Sequence, residues 1–295
     1  MIRNTAVTVC GPLNVNKLGV TYVHEHLIVK PQLPDEYYIP YTLDDEAAST
    51  EETRSFSAAG GETLVEMTPI NYGRNVKAYQ RIAQATGVHV ICCTGFHKQL
   101  FMPPWFDDKT DGELYDILMD EVTNGLDDTE IHPGVIKLGT SFEEVTAAEK
   151  RSIEAVARVH RDTGIPISTH CDKGTMGMDQ LRLLEKHGVD PKNVLLCHID
   201  SKMDTDYAIR LCREGATICL DHVGRELQDR DSFRVRMVTA LVSGFTAKEA
   251  VVSTFGVILG VSHEQLHEAL HLLFTPRSAA SFLTFCLLYT PCVAA

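Results

Sequence analysis

The feature that most constrains this chain is a repeated alternation. Short, apolar, β-branched runs at residues 19–27, 62–68, 88–94, 134–139, 165–170, 193–199, 216–221 and 250–254 are each followed by a polar stretch with helical spacing. Alternation of that kind predicts parallel strands joined by crossover helices. Gly87, Gly164 and Gly215 precede three of the runs, where a helix ends and the chain turns back into a strand. Thr146-Ala-Ala-Glu149 and Ser262-His-Glu-Gln265 read as capping boxes opening helices over 146–163 and 262–274. Eight strands within 295 residues predict one α/β unit, a (β/α)8 TIM barrel spanning 1–295. A doubly wound sheet is the alternative, but it would want a glycine-rich phosphate loop, and neither GxGxxG nor GxxxxGK[ST] is present.

Composition narrows the function classes. Hydrophobic residues at 44% and charged residues at 23% allow a sizeable core and exclude a disordered chain. With 27 Lys+Arg against 40 Asp+Glu, a formal charge of −13 repels a phosphate backbone, so nucleic acid is not an expected partner. Nine cysteines without any CxxC point to a reducing compartment, and a cytoplasmic location is expected. The first twenty residues lack the apolar core of a secretory signal. The apolar stretch 279–295 is shorter than the roughly 20 residues of a membrane crossing. It carries Pro291, and is expected to be a buried or poorly folded tail rather than an anchor.

In such a barrel the catalytic groups stand at the C-terminal ends of the strands. The first run ends in His24-Glu25-His26, where period-2 alternation sends both imidazoles to one face. The fourth run carries Lys137, the fifth ends at His170, and the sixth contains His198. A single strand-end histidine is commonly a structural hydrogen-bonding group. Independent structural histidines, however, have no reason to recur at one end of three strands, so a metal site is the better reading of the set. A buried ammonium is costly and cannot ligate a cation. Burial favours the neutral amine, which can act as a base or add carbon dioxide to form a carbamate able to bridge two divalent ions. The alternative for Lys137 is a side chain snorkelling to the barrel mouth. His89, His132, His160, His187, His222, His263, His267 and His271 are read as structural or surface groups.

Tyr22-Val-His24-Glu25-His26-Leu27, Gly134-Val-Ile-Lys137-Leu-Gly-Thr-Ser141, Ile167-Ser-Thr-His170 and Leu196-Cys-His198-Ile-Asp200 resemble the metal-binding strands of the phosphotriesterase family, within the amidohydrolase superfamily. The resemblance runs from about Gly11 to Thr254. It implies a (β/α)8 barrel holding two divalent ions, usually zinc. On the family's pattern His24 and His26 hold the first ion, His170 and His198 the second, and a carbamylated Lys137 bridges them. A metal-bound hydroxide would then attack an ester, lactone, amide or phosphoester.

The family's remaining ligand, an aspartate closing the eighth strand and serving as general base, has no counterpart. Phe255 stands where it is expected, and residues 255–295 show no trace of the family's last loop and helix. Two further readings follow: a catalytically impaired or non-catalytic metal-binding homologue, or a C-terminus from an altered reading frame. His97, after the third run, and Arg225, after the seventh, are candidate substrate contacts, each against a plain surface role; Trp105 and Phe106 either line the entrance or simply pack. The expected partner is a small-molecule substrate, with neither nucleic acid nor membrane, and a homodimer is left open.

Overall fold

The structure, a computed structural model, describes residues 4–33 and 41–222. The chain divides into two compact units, residues 1–221 and 222–295, and only His222 of the second is described. The eighth run, Arg225, Phe255, the helix expected over 262–274 and the 255–295 segment therefore lie outside the described residues.

The first unit opens with a hairpin, β1 (Thr5–Thr8) and β2 (Gly11–Asn14), in antiparallel register. A seven-stranded parallel sheet follows: β3 (Thr21–Glu25), β4 (Thr63–Glu66), β5 (His89–Gly95), β6 (Val135–Thr140), β7 (Ile167–Cys171), β8 (Val194–Cys197) and β9 (Thr217–Ile218). Its spatial order is its sequence order, so each connection leads to the adjacent strand. The helices are α1 (Glu46–Ala58), α2 (Val76–Thr86), α3 (Asp111–Asn124), α4 (Ala147–Thr163), α5 (Gly177–Lys186) and α6 (Thr205–Arg213). Each of the first seven predicted runs contains one of the seven parallel strands. The α/β class is thus observed, and the sheet curls until His24 of β3 and Asp221, just past β9, stand 3.9 Å apart.

Local chemistry sets the boundaries. Thr146 caps α4 through the backbone of Glu149, whose carboxylate returns to the Thr146 N–H, as the sequence predicts. Thr110 and Glu113 make the same box on α3. Gly87 and Gly164 end α2 and α4 in the left-handed region, at φ 76° and 71°. The hairpin was not anticipated: its two strands, TAVT and GPLN, are short, carry polar residues and Pro12, and lack the apolar β-branched run that marks the parallel strands.

Alternation along the strands separates two faces. Ile136 and Leu138 of β6, with Ile167 and Leu196, pack against Leu114 and Leu118 of α3 and Ile153 and Val156 of α4. Tyr79, Ile82 and Ala83 of α2 cover Leu64, Val90 and Cys92. Lys137, between Ile136 and Leu138, is thereby turned to the opposite, inner face, which is how one cation enters an otherwise apolar strand. Phe106 belongs to the core under α3, edge-on to Phe96 at 5.0 Å, and Trp105 packs beside it, so these two aromatics serve packing rather than an entrance.

One ion cluster around a buried guanidinium ties the β4–α2 connection to α3. Arg74, its side chain 4% exposed, donates to both oxygens of Glu121 at 3.1 and 2.6 Å, to Asp127 at 3.0 and 2.6 Å, and to the Cys93 carbonyl at 3.2 Å. Thr94 closes the group with a 2.5 Å bond to Glu121. Removing one partner of such a cluster leaves the others desolvated without compensation. Arg74→Ala is therefore expected to destabilise the fold by about 3 kcal/mol, read as a lowered urea midpoint at unchanged slope. Arg74→Lys should recover only part of this, because an ammonium cannot make the two forked contacts at once; full recovery by lysine would show that charge alone suffices.

Candidate metal centre

Five of the predicted residues converge at the C-terminal ends of the parallel strands. The His24 ring lies 5.4 Å from that of His26 and 4.6 Å from that of His198, and His198 lies 4.7 Å from His170, centroid to centroid. Lys137 Nζ stands 3.4 Å from His24 Nε2 and donates to the Met67 carbonyl at 2.8 Å. Lys137 is 0% exposed, which rules out the snorkelling alternative. Register brings these groups level: Lys137 pairs with Ser168, and His170 with both Gly139 and Cys197.

The backbone is shaped to permit this. Gly95, at φ +112°, ends β5 against β6, and a Cβ there would stand 2.0 Å from the Lys137 carbonyl oxygen. Glycine is required at that crossing. His198 itself takes a left-handed conformation, φ 66° and ψ 19°, uncommon for a residue with a side chain.

Two carboxylates stand behind the imidazoles. The His198 backbone N–H and its Nδ1–H both donate to Asp221 Oδ1, each at 2.9 Å, while Asp221 Oδ2 faces His24 Nδ1 at 3.9 Å. Glu66, fully buried, accepts from the Leu27 N–H at 3.1 Å and from the Thr68 N–H and hydroxyl at 3.1 and 2.6 Å. Thr68 Oγ1 in turn lies 2.8 Å from His26 Nδ1. Sequence reading assigned neither carboxylate a role, although Glu66 ends β4 and Asp221 closes the seventh run, at the same end as the histidines.

Electrostatics disfavour charge on two members of the cluster, His24 and Lys137. Burial first, then Lys137 and the three other imidazoles, hold His24 well below the ordinary imidazole range. Burial also lowers Lys137, against partial opposition from Cys93, Cys197, Glu66 and Asp221. Glu66 is pushed up to about 7 by burial, opposed by its hydrogen bonds to Thr68 and Leu27. His24 and Lys137 are thereby biased toward their neutral, lone-pair-bearing forms.

That set fits divalent cations. His24 Nδ1 is buried without a hydrogen-bond partner, a condition costly to a metal-free imidazole. His24, Cys197 and Asp221 offer ligand atoms within 4.8 Å of one another, a further grouping that sequence reading missed because Cys197 precedes, rather than is, the strand-end histidine. Four imidazoles suit borderline divalent metals better than calcium or magnesium.

His97 is buried at 3% exposure, so it is no surface residue. Its ring lies 4.6 Å from His170 and 4.7 Å from Tyr72, and its Nδ1 accepts the Lys98 N–H at 2.7 Å. Lys98 Nζ pairs with Asp172 at 2.6 Å beside His170. By contrast His132 and His160 bond backbone carbonyls of Val122 and Ile165, at 3.1 and 2.7 Å, in the structural roles read for them.

The sequence and the fold have counterparts among known proteins. A phosphotriesterase homology protein of Escherichia coli is 33% identical over 230 residues, covering 78% of each chain. A phospho-furanose lactonase of Mycoplasmopsis synoviae is 30% identical over 270 residues, covering 86% of this chain and 76% of its own. The crystal structure of a lactonase from Listeria monocytogenes superposes with a TM-score of 0.73 at 27% identity, over 80% of this chain and 77% of that one. With the family pattern matched over residues 4–276, the chain belongs to the phosphotriesterase family.

Proposed function

We propose that this protein is a metal-dependent hydrolase of small esters, lactones, amides or phosphoesters, with lactones the first class to test. The observation that carries this reading is the convergence of four imidazoles and one buried amine at the ends of neighbouring parallel strands. Relatives named as lactonases support the substrate class. His24 and His26 would hold one divalent ion, His170 and His198 a second, with zinc the expected metal. Bound cations would supply Lewis acidity toward a carbonyl or phosphoryl oxygen and lower the pKa of water from 15.7 to about 7.

The chain's own residues do the rest. Lys137, buried and biased toward its neutral amine, adds carbon dioxide at Nζ; the new N–C bond forms, the Nζ proton leaves to solvent, and an anionic carbamate replaces a group with nothing to offer a cation. Asp221 and the Glu66–Thr68 pair orient His198 and His26 through their Nδ1 atoms. His97 and Arg225 are proposed substrate contacts, the first through a ring beside His170. The protein would work on a small molecule in the cytoplasm, as a monomer or homodimer built on a single 1–295 barrel.

The dialysed protein is expected to retain about two divalent ions per chain by elemental analysis. Lys137→Ala should lower that content, with partial recovery on adding a short carboxylic acid that stands in for the carbamate. Full metal content in Lys137→Ala would remove lysine from the ligand set.

Phe255, where a general base is expected, offers neither lone pair nor proton affinity. Phe255→Asp is expected to raise lactone or aryl-ester turnover by about 10²–10⁴-fold, the usual range for general-base catalysis. Equal rates in the two proteins would mean that another residue accepts the proton; inactivity in both, with metal bound, would favour a non-catalytic homologue.

A further inference from the structure

The Asp221 carboxylate, just past the edge strand β9, faces histidines from the neighbouring strand β8 and from β3 at the opposite edge of the described sheet. Oδ1 accepts two hydrogen bonds from His198, which follows β8, and Oδ2 faces His24 of β3 at 3.9 Å. A carboxylate only accepts, so the 2.9 Å contact assigns the proton of His198 to Nδ1 and leaves Nε2 as its ligating atom. His24 Nδ1 is buried and lacks an acceptor in the present geometry. The nearest carboxylate oxygen is Oδ2, and an approach of about 1 Å would close a normal hydrogen bond. That bond would fix the same tautomer on His24 and direct its Nε2, already 3.4 Å from Lys137 Nζ, at the metal centre.

We infer that Asp221 is a positioning residue that sets the tautomers of His24 and His198 together, so that one carboxylate couples the two ion sites. This rests on the metal-centre reading above. It differs from a plain structural role because Oδ1 bonds His198 while Oδ2 faces His24, two histidines assigned to different ions.

Asp221→Asn separates the two functions. The amide oxygen can still accept from the His198 N–H and Nδ1–H, so that half and the fold persist. The amide nitrogen then faces His24 Nδ1 as a donor, and drives the His24 proton to Nε2, where it blocks ligation. The expected result is one ion held as in the parent protein and one weakened by about 10–100-fold in chelator competition, the usual effect of losing such a partner. Nitrogen-15 NMR of the imidazoles in the metal-free proteins should report a changed tautomer for His24 alone. At saturating cobalt the visible spectrum should match that of the parent, because the ligands are intact.

Parent protein that holds no metal would defeat the metal-centre reading itself. Parent protein holding two ions, with Asp221→Asn unchanged in affinity and tautomer, would overturn this inference alone. A changed cobalt spectrum at saturation would make Asp221 a ligand and overturn it equally.

Discussion

Everything at this site depends on burying a primary amine among imidazoles with, among the described residues, no carboxylate at hydrogen-bond distance of it. Lys137 has a carbonyl and a histidine ring as its polar neighbours, and is fully buried. Charged, it would repel every protonated imidazole nearby; neutral, it presents a lone pair in a pocket of lone pairs. The pocket is therefore unfavourable for protons and favourable for multivalent cations, which can satisfy several such donors at once. The position of that amine is a backbone consequence. Gly95 lets β5 approach β6 against the Lys137 carbonyl, and alternation with Ile136 and Leu138, which face the helices, turns the lysine inward.

Behind the donors stands a layer of acceptors. Glu66 receives the Thr68 hydroxyl, and Thr68 meets His26; Asp221 receives His198 directly. In both cases the Nδ1 side of a ring is engaged away from the centre, which restricts rotation and leaves the opposite nitrogen for ligation. Glu66 ends β4 and Asp221 follows β9, so the same parallel register that brings the histidines together brings up the carboxylates behind them.

The repeat of β-branched runs and glycine stops made the parallel sheet and the start of α4 legible, because burial on both faces and helix capping leave strong local marks. The histidines and Lys137 were legible for the same reason: polar groups at the ends of apolar strands stand out. Asp221 and Glu66 did not stand out, since an acid closing a strand reads as the start of a solvated loop. Only the curl that brings β3 and β9 together discloses Asp221 as a neighbour of His24. The surroundings of His97 were equally hidden, because contacts with Tyr72, Phe101 and His170 come from separate elements.

The left-handed backbone of His198 shows how far ligand and support depend on one another. Such a conformation costs a side-chain-bearing residue of order 1–3 kcal/mol and persists only where its surroundings over-determine it. Here two bonds to one carboxylate oxygen, one from the backbone N–H and one from the ring, hold the residue from both ends. Bonds to an ionised acceptor are stronger than neutral ones, and are of the size needed to offset the strain. The β8 strand therefore stops at Cys197 because His198 must turn back toward Asp221, and the turn that ends the strand is the same one that aims the ring.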